Sequence, residues 1–230
     1  MKKLHSWNLS YQQARDLQEE LACKVVHTPL KGMPGTVAGI DCAFSKDGER
    51  ILAAAVVLKF DSLEVVETAD ATRKVTFPYI PGLLSFREAP VCLAAVEKLT
   101  KQPDVFIIDG QGIAHPRRLG LAAHLGLFFN KPTIGCAKSR LIGQFEEPPL
   151  QKGAYTLLTD TSPAEQRRKS RTIGAVLRTR TNVKPVFVSV GHKCVLEDAI
   201  RITLACTTKY RLPEPTRLAH QLVGKLKLKA

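Results

Sequence analysis

"TVAGIDCAFSKDGERILAAAVVLKFDSLEVVETADATRKV", Thr36 to Val75, decides the fold. It holds three β-type runs, "TVAGIDCAF", "RILAAAVVLKF" and "LEVVETADATRKV", separated only by turn residues. Connections this short join antiparallel neighbours, so the three runs predict a meander. Downstream the pattern changes. "REAPVCLAAVEKLTK" has helical spacing at Val91, Ala94, Ala95 and Leu99. "DVFIID" is short and nearly all apolar, as a strand buried on both faces must be, and "KPTIGCA" reads the same way. Between them "RRLGLAAHLGLFFN" predicts a helix ending at Asn130. "TIGAVLRTRT" and "KPVFVSVG" are late strands, "LEDAIRITLACTT" is a late helix, and a Pro/Glu-rich loop surrounds Glu146 to Pro149. Upstream, Ser10 is placed to cap a helix running to about Val26. The fold class is α/β, with a central mixed sheet (a meander, then alternating strands and helices) flanked by helices. No repeat, linker or low-complexity segment divides the 230 residues, so a single domain over 1–230 is expected.

Charge narrows the function. The formal net charge is +13, with five Lys/Arg and no acid from Gln111 to Phe145, and eight Lys/Arg and no acid from Arg167 to Lys193. Fields of this sign and length bind phosphate backbones by releasing counterions. No basic amphipathic helix and no long apolar run stands out, so a membrane partner is not expected. The six cysteines are scattered without a CxxC pair, which points to reduced, buried thiols and a cytoplasmic protein, not to a disulfide framework or zinc site. Nothing marks a dimer interface, and a monomer is expected.

Two acids share one placement. Asp41 ends the apolar run "VAGID" and Asp109 ends "VFIID". A carboxylate at the end of a buried strand is costly unless paired or metal-bound. Either one alone reads as a cap or a turn residue. Together, in a basic protein, they predict oxygen ligands for Mg²⁺ and metal-assisted phosphodiester hydrolysis. Glu88, within the proline-rich stretch "FPYIPGLLSFREAP" and expected in the first turn of the helix that follows its loop, is either a helix-dipole acid or a third member of that set. His192, after "VFVSVG", is either a satisfied histidine or a ligand or proton carrier. Lys138, after "TIGCA", is either solvated or positioned to offset charge developing on phosphate, and His115 is a further polar group of that kind.

The ordered motifs "GIDCAF", "FPYIPGLLSFRE", "IIDGQGIAHPRRLGLAAHLG", "IGCAKSRL", "VSVGHK" and "YRLPEPTR" resemble those of the endonuclease V family, over about Asp16 to Arg217. The resemblance implies a ribonuclease H-like fold and Mg²⁺, with Mn²⁺ able to substitute, held by Asp41 and Asp109 with Glu88 and His192 close by. It implies that Lys138 approaches the scissile phosphate. The implied activity is nicking of the second phosphodiester bond 3′ to a deoxyinosine in DNA, leaving 3′-hydroxyl and 5′-phosphate ends. Inosine-containing RNA and non-catalytic nucleic-acid binding are the alternatives. Gly82, Leu84, Gly110, Gly112, His115 and Leu121 (or its neighbour Leu119) then become candidates to line a pocket for the extruded base. "PYIP", Pro78 to Pro81, becomes a stiff wedge, with Tyr79 and Ile80 held by two prolines and Tyr79 able to stack where the base was. "AHQLVGKLKLKA" lies outside the motifs and reads as a basic tail.

Overall fold

The structure is a computed structural model that describes residues 4–160 and 171–229. One eight-stranded sheet runs through it in the order β3-β2-β1-β4-β5-β8-β7-β6. The strands β1 (Thr36–Phe44), β2 (Arg50–Lys59) and β3 (Val65–Lys74) form the expected antiparallel meander. The strands β4 (Val105–Ile108) and β5 (Thr133–Ala137) lie parallel to β1, joined by the helix α3 (Leu121–Phe129). Asn130 closes α3 in the left-handed conformation at φ 54°, a common helix stop. Beyond β5 the sheet turns antiparallel through β8 (Val186–His192), β7 (Arg171–Leu177) and β6 (Tyr155–Asp160).

Helices cover both faces. Alternation along the strands sends Ala38, Ile40, Phe106 and Ile108 to a core under α2 (Leu84–Val96) and α3. The intervening Val37, Val105 and Ile107 go to a second core under α4 (Leu196–Ala205) and α5 (Glu214–Lys229). The helix α1 (Tyr11–Ala22) opens on the predicted Ser10, whose hydroxyl accepts from the Gln13 N–H while the Gln13 side chain accepts from the Ser10 N–H.

Four boundaries differ from the sequence reading. The helix α2 starts at Leu84, with Pro90 inside it, so Glu88 sits in the second turn instead of the first. The "RRLG" segment is loop, and α3 begins only after Gly120. Strand β6 fills the stretch after the Pro/Glu loop. The basic "tail" is α5, which presses Thr216, Ala219 and Val223 into the protein. The first part of the second basic run, Arg167 to Lys169, lies outside the described residues. All six cysteines are free, four of them buried, and among the described residues no helix is long and apolar enough to cross a membrane.

Candidate active site

Strand register brings the two aspartates together. Ile40 pairs with Ile108 across the parallel β1–β4 ladder, so the residues that follow, Asp41 and Asp109, emerge side by side. The Asp109 N–H donates to the Ile40 carbonyl at 3.1 Å and holds that alignment. Lys138, just past the end of β5, forms an ion pair with Asp109. Arg211 in turn donates to the Lys138 carbonyl at 2.7 Å and to the Pro185 carbonyl at 2.5 Å. The lysine backbone is thereby tied to the start of β8.

The third group is His220, from α5. Its Nδ1 lies 2.6 Å from Asp41 Oδ2. Ligand atoms of Asp41, Asp109 and His220 all fall within 4.8 Å of one another, the one such set of His, Cys, Asp and Glu among the described residues. The packing of α5 is what delivers this histidine. Gly39 of β1 has no side chain, and a Cβ there would stand 2.0 Å from the Pro215 carbonyl carbon, so the helix start rests directly on the strand.

Burial and mutual charge shift the carboxyls of the site. Burial, and after it the charge of Asp109, push the Asp41 carboxyl above the usual range. Burial likewise pushes Glu88 up to about 7, with the charges of Asp41 and Asp109 adding to the effect. Glu88 therefore stands close enough to feel both aspartates, though it approaches from α2 on the other face of the sheet and is not one of the three clustered ligands. Carboxylates crowded in this way are what an added cation relieves. Two carboxylate oxygens and an imidazole nitrogen form a donor set that suits a divalent metal.

His192 is not brought here. Strand β8 runs antiparallel to β5, and His192 pairs with Thr133 at the opposite end of that strand, roughly 13 Å along it from Ala137. It is 3% exposed, and its Nδ1 accepts from the Val26 N–H at 3.2 Å. The expected neighbour of the metal is instead a satisfied histidine joining α1's trailing segment to the sheet. The resemblance implies His192 close to the metals, but β8 runs antiparallel to β5, which carries the end of "VFVSVG" away from Lys138. His220 was missed because α5 was read as tail. Its signal was present: Pro215 just inside a helix start and Thr216, Ala219 and Val223 on one face.

Beside the carboxylates is a cavity of about 170 Å³. Of the predicted pocket residues, Gly82, Leu84, Gly110, His115 and Leu121 line it, as do Glu88 and Asp109. Leu119 lines it too, although fully buried. Gly112 does not. A Cβ there would lie 2.0 Å from the Val190 carbonyl oxygen, so this glycine serves close packing of its loop on β8. Gly82 is glycine for its φ of +80°. Burial, with Arg117 adding to it, lowers His115 to about 4, leaving it neutral at the cavity wall.

The loop of prolines forms the cavity's outer rim. Phe77 is buried with Leu83, Phe86 and Ala14, which anchors the loop on α1 and α2. Tyr79 is 66% exposed, flanked by the exposed Pro78 and Pro81. Ile80 differs from the expected free tip, for it packs against the Phe77 cluster while lining the cavity.

The chain is similar to known proteins along nearly its whole length. A family profile described as Endonuclease V matches residues 19–221. The endonuclease V of Roseiflexus sp. (strain RS-1) is 49% identical over 218 residues, covering 95% of this chain and 94% of that one. The crystal structure of endonuclease V from Streptomyces avermitilis matches with a TM-score of 0.89 at 42% identity, over 97% of this chain and 96% of that one. The Ciona intestinalis endonuclease V, solved with a 24mer DNA containing an inosine followed by a ribo-adenosine, matches with a TM-score of 0.77 at 31% identity, over 94% and 96% of the two chains. The fold is the ribonuclease H-like one of these structures.

Proposed function

The chain belongs to the endonuclease V family and is a nuclease, and from that premise we propose that it nicks DNA beside deoxyinosine, at the second phosphodiester bond 3′ to the lesion, by Mg²⁺-assisted attack of water. One observation carries the reading. Asp109 belongs at once to the ligand set and to the lining of the cavity, and Glu88, which lines the same cavity, feels the charge of both aspartates, so a base held in the cavity puts its own strand at the ligand set. The Ciona relative was solved with inosine-containing DNA, which supports the same class of substrate here.

Asp41, Asp109 and His220 are the residues to hold the cation, with Glu88 near it. When bound, the cation supplies charge to the attacking and leaving oxygens at the scissile phosphate. Lys138, paired with Asp109, is a positive group free to meet a phosphate once that carboxylate has another partner. Pro78 to Pro81 present Tyr79 as the wedge that opens the duplex. Gly82, Leu84, Gly110, His115 and Leu121 enclose the extruded hypoxanthine, and backbone groups at the two glycines reach its Watson–Crick edge. The regional positive charge holds the flanking phosphates.

The test is a labelled duplex carrying one deoxyinosine, incubated with and without Mg²⁺. A nick on the inosine strand that needs the metal and is absent from plain duplex is the expected result. Equal nicking of plain duplex, or none of either, overturns it. Inosine-containing RNA run alongside moves the substrate to RNA if it is cut faster.

A further inference from the structure

Gln18 lies on the buried stripe of α1 between Ala14 and Leu21, where an apolar residue is the ordinary choice. It is 0% exposed. A buried amide is costly unless its hydrogen bonds are made. Both donor bonds of Gln18 go to residues of the cavity wall. Its Nε2 donates to the Gly82 carbonyl at 3.1 Å and to the Leu119 carbonyl at 2.8 Å. Its Oε1 accepts from Arg117 Nε, and Arg117 Nη2 donates to the same Gly82 carbonyl at 2.9 Å. Carbonyls can only accept and a guanidinium can only donate, so this pattern fixes which end of the amide is which.

Gly82 and Leu119 stand on different walls of the cavity, one at the end of the proline loop and the other before α3. Gln18 itself does not line it. The residue also precedes the stretch matched by the family profile, which begins at 19. We propose that Gln18 is a positioning residue that sets the width of the base cavity, by tying the Gly82 and Leu119 carbonyls to one amide and to Arg117. The inference rests on the reading of the cavity as an inosine pocket. On that reading, the width so held is what separates a 6-oxopurine lacking the exocyclic amine from guanine, which carries it. Residues that hold a pocket's dimensions act on discrimination through the geometry of others.

The experiment compares the parent with Gln18→Met, which keeps length and removes every hydrogen bond, and Gln18→Glu, which keeps the acceptor for Arg117 and loses both donors. Saturation kinetics are measured with Mg²⁺ on duplexes carrying deoxyinosine or guanine at one position, with melting curves for each protein. Both variants are expected to lose about tenfold of the preference for deoxyinosine, the weight of one buried hydrogen bond to charged or carbonyl partners. The loss should fall on KM for the deoxyinosine duplex, with kcat kept within about threefold. A purely structural role would lower rates on both duplexes together and leave the ratio alone, and that result overturns the proposal. So does an unchanged preference in both variants that melt as the parent does. If Gln18→Met fails to fold, Gln18→Glu decides alone, because its ion pair with Arg117 holds the helix. A parent that shows no preference for deoxyinosine removes the pocket reading and this inference with it, whereas a selective parent with equally selective variants removes only this one.

Discussion

At the scale of single residues, the two histidines separate two chemistries. His220 touches Asp41 and shares the ligand set, so His220→Ala is expected to cut metal-dependent nicking by about a hundredfold and to raise the Mg²⁺ concentration needed. His192 sits at the end of the β5–β8 ladder away from Lys138, so His192→Ala should leave the rate at saturating Mg²⁺ within about threefold. Metal titrations of nicking on the two variants check both statements, and matching losses would place His192 at the site after all. Glu88 gives a prediction with a sign. Its ordinary carboxyl value is 4.5 and burial raises it to about 7 in the fold. The cost of ionising it there is absent below 4.5, grows between the two values and is complete above 7. Without metal, Glu88→Gln should therefore be more stable than the parent at pH 8, on the order of 2 kcal/mol, and no more stable at pH 4. Urea unfolding in EDTA at the two pH values measures this, and added Mg²⁺ should narrow the gap by favouring the ionised parent.

At the scale of elements, α5 is the part on which the site depends and the part least legible beforehand. Its start rests on Gly39, where a Cβ would overlap the backbone at Pro215 and Thr216. Backbone cannot rotate away as a side chain can, so Gly39→Ala must displace strand or helix. We expect a loss of about 2–3 kcal/mol of stability and, in protein that remains folded, a weakened response to Mg²⁺ because His220 moves with the helix. Thermal melts and metal titration read the two effects, and an unchanged metal response would mean that α5 does not set His220. The meander, both buried parallel strands and the two aspartates were readable because each is a local pattern: alternating or unbroken apolar runs that end in an acid. The direction of β8 was not, since its apolar run looks the same whichever way it pairs. The helical nature of α5 was masked by its lysines, because a narrow stripe of Thr216, Ala219 and Val223 is enough to bury a helix whose other faces stay wet. Gly112 was assigned to the pocket on residue type alone, and only the path of β8 past it shows that its missing Cβ makes room for Val190 instead.

At the scale of the whole molecule, a protein with a net charge of +13 also keeps several histidines from becoming charged. Burial lowers His124 to about 3, His115 to about 4 and His192 to about 4. His124 is the clearest case: fully buried among Trp7, Phe86 and Phe128, it bonds Ser85 Oγ through Nδ1 at 3.1 Å and meets His5 Nε2 at 2.8 Å. In the unfolded chain each of these rings takes a proton near 6.5. The unfolded state thus binds more protons than the native state from about pH 6.5 down to about 4, and stability falls as pH falls through that window. The raised carboxyls of Glu88 and Asp41 act the other way, because the native state holds their protons longer. The slope of unfolding free energy against pH is the difference between the two sets, and one variant isolates a member. His124→Gln keeps a polar partner for Ser85 and has nothing to protonate. Its unfolding free energy should depend on pH less steeply than the parent's by about one proton, close to 1.4 kcal/mol per pH unit, between pH 6 and pH 4. Urea unfolding at pH 7, 6, 5 and 4 measures both slopes. Parallel lines would show that His124 is protonated in the native protein, and that the aromatic cluster closing α2 and α3 over the sheet carries a charge it was built without.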